Sequence, residues 1–297
     1  MTWTIFSQQL INGVSLGSLY GLVAIGYTMV YGILRLINFA HGDLLMFAAY
    51  AAISGIVTFG LPWYLGFPVA IALTGALGIV LDRVAYKPLR NAPRISLLIS
   101  AIGASFLLES LALVYFKGVP KPFPRPEMFS KVIEVFGVRV QVLTLYTPVI
   151  TILLLLGLLY IVFHTKVGKA MRAASKDFEA TRLMGINLDR IIAITFFLGS
   201  TLAAAGGLMW AMKYPQVNPY MGVFPGIKAF IAAVLGGIGN ITGAVLGGFL
   251  LGLGEILIVA MVPEMAQYRD AFAFVILILV LLFRPTGLMG EPIIDKS

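Results

Sequence analysis

Two clusters of polar side chains interrupt a strongly apolar sequence, and they are where chemistry or recognition could occur. The first is Asn38-Phe39-Ala40-His41-Gly42-Asp43. Its carboxamide, imidazole and carboxylate could bind an amino group or line a translocation path. The same residues also suit a solvated cytoplasmic turn in which Asp43 caps the next helix. The second cluster is the island Gly168 to Arg190, GKAMRAASKDFEATRLMGINLDR, holding Lys169, Arg172, Lys176, Arg182 and Arg190 against Asp177, Glu179 and Asp189. Within it Met171, Ala174, Phe178 and Thr181 recur at helical spacing up to a break at Gly185. Such an amphipathic helix either docks on a soluble partner or lies on the lipid surface.

A third interruption, Gly236-Gly237-Ile238-Gly239-Asn240, is a helix break expected at membrane depth. There, irregular backbone is tolerated only inside protein or along a polar cavity. Gly236, Gly237, Gly239 and Asn240 therefore join Asn38, His41, Gly42 and Asp43 as path candidates. Glu109 and Glu255 sit within apolar runs near span ends, so both are expected to snorkel to the interface.

Several activities are excluded. GVSLG, Gly13 to Gly17, matches the GxSxG nucleophile pattern but lies in an uncharged apolar run, and the histidines of the chain are His41 and His164. No strand-turn-helix elbow can form there. His164, at a span end, reads as an interfacial residue. No GxxxxGK[ST] sequence is present, so any ATP is bound by another polypeptide. Without cysteine there is neither a disulfide framework nor a thiolate metal site. The net charge of +8 has no aromatic-basic patch beside it that would mark a nucleic-acid partner.

The elements that must position these residues are membrane spans. The 297 residues are 60% hydrophobic and 11% charged, with a mean hydropathy of +0.97. The charged share is less than half the ~25% of a soluble protein. Apolar runs extend over Ile11 to Leu34, Asp43 to Phe59, Trp63 to Leu81, Ile95 to Phe116, Leu143 to Phe163, Ile191 to Met212, Gly226 to Met261 and Ala271 to Phe283. Each of the longer runs can cross a ~30 Å hydrocarbon core. The Gly226 run is too long for one helix and reads as two short helices or a hairpin. The expected fold is an all-α polytopic membrane protein of eight or nine transmembrane elements, forming a single transmembrane domain over 1–297. No basic n-region precedes Arg35, so a cleavable signal peptide is not expected.

Basic residues orient the chain. Arg83, Lys87, Arg90 and Arg94 make one cytoplasmic loop, and the island, within the loop 164–190, makes the second. Arg284 and Lys296 place the C-terminus inside, and the uncharged segment before Arg35 places the N-terminus outside. The loop 117–142 then lies outside although it carries Lys117, Lys121, Arg125, Lys131 and Arg139. Prolines 120, 122, 124 and 126 keep its first part extended. Alternation over Val132 to Val140, around Phe136-Gly137, predicts a β-hairpin cap as the sole non-helical element. Gly199, Ala203 and Gly207, then Gly243 with Gly247 and Gly248 with Gly252, place small residues four apart for close helix packing.

NGVSLGSLYGLVAIGYTMVYGILRLINFAHGDLLMFAAY, LISAIGASFLLES, the polar island, AFIAAVLGGIGNITGAVLGG and RPTGLMG follow one another along nearly the whole chain. Together they resemble the branched-chain amino acid permease family of binding-protein-dependent ABC importers, nearest its H-type subunit. The resemblance implies a permease subunit in the bacterial inner membrane for leucine, isoleucine and valine that catalyses no reaction itself. It also implies a second homologous permease chain, two cytoplasmic ATPases that bind ATP and Mg, and a periplasmic or lipid-anchored binding protein. Urea, amides or other neutral amino acids would be alternative cargo. A stand-alone secondary transporter or channel is the rival class, and the sparse intramembrane carboxylates count against it. Glu179-Ala180-Thr181-Arg182-Leu183-Met184-Gly185 fits the family's EAA-x3-G coupling loop, with Thr181 in place of the second alanine. By that match, Lys169, Arg172, Ala174, Asp177, Phe178, Glu179, Ala180 and Gly185 are the expected ATPase-coupling residues.

Overall fold

The computed structural model describes residues 3–135 and 137–290. Lys296, used above to orient the C-terminus, and Phe136 of the hairpin lie outside the described residues. Among the described residues the chain is mostly helical, and eight helices are long and apolar enough to cross a membrane. They are α1 (Trp3–Leu34), α2 (His41–Ile53, continued as a π-turn over Ser54–Thr58), α3 (Trp63–Leu81), α4 (Arg94–Phe116), and then α6 (Val142–His164) beyond the four-residue α5 (Glu127–Ser130). The island follows as α7 (Lys166–Lys176) and α8 (Phe178–Leu183). The remaining spans are α9 (Leu188–Lys213), α11 (Ile241–Met261) and α12 (Arg269–Phe283, preceded without a break by a 3-10 turn over Pro263–Tyr268 that completes the span), with a shorter apolar helix, α10 (Val223–Gly236), between α9 and α11. The all-α polytopic expectation holds, and eight spans plus one half-span match the expected number.

The core lies on α1, whose residues are buried almost continuously from Ser15 to Val30. Lipid cannot drive apolar helices together, so close backbone approach has to. A side chain at Gly17 would meet the Phe249 backbone of α11 at 2.7 Å, and one at Gly21 would meet the Val245 backbone at 3.3 Å. α1 and α11 are therefore antiparallel and almost in backbone contact. The other small-residue rows serve other neighbours. Gly243 and Gly247 pack on α10, Gly199 on Gly26 of α1, and Gly207 on Leu45 of α2.

α1 begins at Trp3, eight residues before the apolar run read from sequence. Ser7, Gln8 and Gln9 lower the hydropathy of this first part without breaking the helix. The Gln8 side chain donates to the Arg139 carbonyl oxygen at 3.1 Å, tying the N-terminal end of α1 to the expected hairpin. That hairpin is present as β2 (Val132–Val135) and β3 (Val138–Gln141), paired antiparallel. A second pairing departs from the expectation that the hairpin would be the sole non-helical element. Strand β1 (Lys121–Pro122) pairs with β4 (Gln216–Val217), joining the Pro-rich loop to the α9–α10 connection. Local alternation cannot reveal a two-residue pairing between segments so distant in sequence.

The two basic loops meet on the opposite side. Lys87 Nζ lies 2.7 Å from Asp189 Oδ2, and Arg90 bridges Asp189 and the buried Asp82. They share one side of the molecule, while the N-terminal end of α1 and the Pro-rich loop share the other. The Pro-rich cap and the basic loops therefore lie at opposite ends of the spans.

Candidate functional site

The polar island folds as two helices instead of one. Asp177 turns extended, and its carboxylate accepts from the Ala180 N–H at 3.0 Å, ending α7 and capping α8. Gly185, at φ +79°, then turns the chain back to the membrane, as a helix-ending glycine does. The break falls eight residues before Gly185 because the Asp177 cap outcompetes continuation of the helix.

The helical stripe of the island faces the permease. Met171, Ala174 and Thr181 are buried, so Ala174 is no docking residue, contrary to the sequence expectation. α7 rests on α6, α1 and α9, and Gly168 sits against the Ile161 and Val162 carbonyls. Arg172 stacks its guanidinium 5.0 Å over the Phe163 ring. Lys169, Glu179 and Ala180 are exposed, and Phe178 is partly so. The apolar knob that faces outward is Leu183 and Met184, 87% and 81% exposed. Helical periodicity missed it because a periodicity test assigns apolar residues to the buried face. Beside it, a cleft of about 390 Å³ is lined by Asp82, Lys87, Asn187 and Asp189.

The break at Asn38 to Asp43 is not a solvated turn. Asn38, His41 and Asp43 are at most 2% exposed. The His41 ring contacts the Val23 carbonyl at 3.2 Å and lies 4.4 Å from the Tyr27 ring. Tyr27 is seven residues before the end of α1, roughly 10 Å back along its axis. After α1 the chain thus re-enters the protein and begins α2 about two turns back from the end of α1. The N-cap of α2 is Ala40, with no side-chain cap, so Asp43 is not the cap either. Its Oδ2 instead accepts from the Ser105 hydroxyl of α4 at 2.5 Å. Asn38 accepts from the Tyr86 hydroxyl at 2.8 Å.

α10 starts at the same depth. A side chain at Gly226 would meet Gly42 Cα at 2.9 Å, and one at Gly42 would meet the Gly222 carbonyl oxygen at 2.7 Å. The N-termini of α2 and α10 therefore abut, and from there α2 runs outward and α10 inward. Where they meet, a cavity of about 160 Å³ is lined by Tyr27, Phe39, Asp43, Ile102, Ser105 and Ile227, with Gly42, Gly222 and Gly226 at its back.

The Gly-rich break is a hairpin turn at the ends of α10 and α11, where the full-length span α11 begins, a correction to the expected mid-membrane depth. Contacts of Gly236 with Gly243 and of Ala232 with Gly247 set the two helices antiparallel. The turn reaches Gly32 near the end of α1 through Gly239. Because α10 starts beside Gly42 and Tyr27, its 14 residues already end close to the end of α1. Asn240 caps α11 by accepting from the Gly243 N–H and donates to the Met289 carbonyl oxygen. The Leu288 and Met289 N–H groups bond the Leu235 and Gly236 carbonyl oxygens. These bonds tie the turn to residues 288 and 289, away from the cavity at Asp43.

A cluster that sequence reasoning missed lies towards the opposite end of α11 from the Gly-rich turn. Glu255 does not snorkel to the interface; it is 1% exposed. It pairs with Lys228 at 2.9 Å and Arg269 at 2.8 Å, and accepts from the Tyr20 hydroxyl at 3.0 Å. A lone lysine in one arm of an apolar hairpin and a lone glutamate in the other was the available signal. Glu109 is half-buried on α4.

Comparison with known proteins agrees with this architecture. The family model described as branched-chain amino acid transport system / permease component matches residues 9–281. The high-affinity branched-chain amino acid transport system permease protein BraD of Pseudomonas aeruginosa is 42% identical over 98% of both chains. LivH of Escherichia coli, a protein of the same description, is 41% identical over 98% of this chain and 97% of its own. The ribose import permease protein RbsC of Escherichia coli is 28% identical over 82% of this chain and 76% of its own. With the match spanning nearly every described helix, the chain belongs to the permease component family of branched-chain amino acid transport systems.

Proposed function

We propose that this chain is the membrane-spanning permease subunit of a binding-protein-dependent ABC importer for leucine, isoleucine and valine in the bacterial inner membrane. The observation that carries the mechanism is the cytoplasmic helix α8, which ends in the uncovered pair Leu183-Met184 while its other face rests on the permease. An apolar knob on a short capped helix suits a groove on a soluble ATPase, with Lys169, Asp177, Phe178, Glu179 and Ala180 around it fixing register. Arg172 and Ala174 hold the element to the membrane domain, and Gly185 turns the chain back. ATP and Mg belong to two such ATPases, and this chain hydrolyses nothing. A second homologous permease chain completes the pore, and an extracytoplasmic or lipid-anchored protein delivers cargo.

Force on α8 has a short route to the transport path. α7 touches both α1 and α9, and these helices pack directly on α10 and α2. ATPase closure would tilt α1 and α9 and so separate or join the abutting N-termini of α2 and α10. The break at Asn38 to Asp43 is the path element of this chain, and the hairpin turn at Gly236 to Asn240 is its cytoplasmic closure. The branched-chain substrate follows the relatives above 40% identity in preference to the ribose permease at 28%. The test is uptake into proteoliposomes carrying the assembled complex. Leucine should enter only with ATP on the ATPase side, and uptake without ATPases would overturn the ABC reading.

A further inference from the structure

We infer that the cavity where α2 and α10 meet is a transient binding site for a free amino acid zwitterion, with Asp43 receiving the ammonium group. The inference rests on the permease reading above and adds to it the atoms that handle the cargo.

Three features of the cavity point to that ligand. The first is an uncompensated carboxylate. Asp43 lines the cavity and is 2% exposed, yet among the described residues it forms no ion pair; its side-chain partner is the neutral Ser105 hydroxyl. Glu109, one turn beyond Ser105 on the same face of α4, adds no cation. The buried carboxylates Asp82 and Glu255, by contrast, are paired with arginine or lysine. A carboxylate kept in a membrane protein without a cation is a site for one.

The second feature is two uncapped helix starts. Ala40 and Gly222, the N-caps of α2 and α10, give no side-chain cap. Both helices turn the positive ends of their dipoles to this spot. A simple amine would meet Asp43 but be opposed by those ends, and a simple carboxylate would suit the ends but be repelled by Asp43. A zwitterion, with both charges on one carbon, satisfies both. Gly42, Gly222 and Gly226 let the helix starts approach without side chains filling the space.

The third feature is the remaining wall. Phe39, Ile102, Val223 and Ile227 are apolar, and the hydroxyls are those of Tyr27 and Ser105. That lining suits a short branched aliphatic side chain and offers few groups to a sugar.

The experiment uses the full complex in proteoliposomes with its binding protein, radiolabelled leucine and a diazirine analogue of leucine. Wild type should take up leucine and, under illumination during turnover, acquire adducts on peptides holding Ile102, Val223 or Ile227. Asp43→Asn should lower uptake at least tenfold and remove these adducts while the binding protein remains labelled. Ile102→Trp, which fills the cavity without touching a charge, should also lower uptake tenfold. Leucine uptake by Asp43→Asn within twofold of wild type would overturn the site and leave the permease reading standing. So would wild-type adducts confined to other parts of the chain, a result that needs no variant to fold. Absence of leucine uptake by wild type would overturn the permease reading, and this site with it.

Discussion

Lys228 Nζ lies 2.9 Å from Glu255 Oε1, joining the two arms of the α10–α11 hairpin by an ion pair almost wholly shielded from solvent. Arg269 and Asp270 of α12 complete the group, Asp270 by meeting Lys228 at 2.6 Å. α12 otherwise has few contacts beyond α10 and α11, so these charges anchor its N-terminal end. The Lys228 stem leaves the helix one turn inward of the pair and reaches outward, placing the network above the Asp43 cavity.

Breaking this network should unfasten α12. Glu255→Gln leaves Lys228 and Arg269 without their shared carboxylate, and removing one partner of a buried pair costs about 3–5 kcal/mol. The expected result is a clear fall in Tm of the detergent-solubilised complex and a lower membrane yield. Lys228→Met combined with Glu255→Leu should recover part of the loss, since apolar replacements leave fewer charges unpaired. A wild-type Tm for Glu255→Gln alone would show that the cluster is not an anchor.

The hairpin turn gives a second prediction. Gly237 has φ +108°, and a side chain there would run into the Gly290 backbone. Gly237→Leu should detach the 287–290 segment from the turn and reduce stable assembly as well as transport, because both strain and overlap oppose it. Blue-native gels separate this outcome from its opposite, an intact complex that merely fails to transport. The latter would restore a path-lining role for the turn.

Topology can be tested directly because the chain has no cysteine. Asn91 and Ser130 are both exposed, one in the first basic loop and one in the Pro-rich cap. Ser130→Cys should react with an impermeant maleimide in spheroplasts, whereas Asn91→Cys should react only after lysis. Inverted labelling would reverse the orientation argued from the basic loops.

Spans were legible because lipid imposes one rule, a sustained apolar run. α3, α4 and α6 fall within a residue or so of the boundaries read from sequence. The sites were less legible because depth and facing depend on tertiary packing. Asn38 to Asp43 has the composition of an aqueous turn, and only the re-entry of the chain beside Val23 and Tyr27 buries it. Gly236 to Asn240 has the composition of a mid-membrane break, and only the late start of α10 moves it to the end of the spans. In the island, periodicity located an amphipathic helix correctly but said nothing about which partner its apolar face meets. The answer is the chain's own α6, α1 and α9, and the exposed apolar surface lies on Leu183 and Met184.

That assignment yields the sharpest test of the coupling mechanism. Leu183→Asp with Met184→Asp changes two side chains that touch almost nothing in this chain, so insertion and folding should be unaffected. In a groove, each would place a charge against apolar surface. A loss of 2 kcal/mol or more, typical of an interface hot spot, is about thirtyfold in affinity. ATPase co-purification and ATP-driven uptake should therefore both collapse at normal membrane levels. Ala174→Trp should behave differently. Its site is on the buried face of α7, so the ring overfills the contact with the membrane domain and lowers the amount of folded permease itself. Leu183→Trp distinguishes docking from a lipid-surface role, since an aromatic ring favours the membrane interface but overfills a groove. Retained ATPase binding in Leu183→Trp and in the double aspartate variant would assign the knob to lipid and remove α8 as the coupling element.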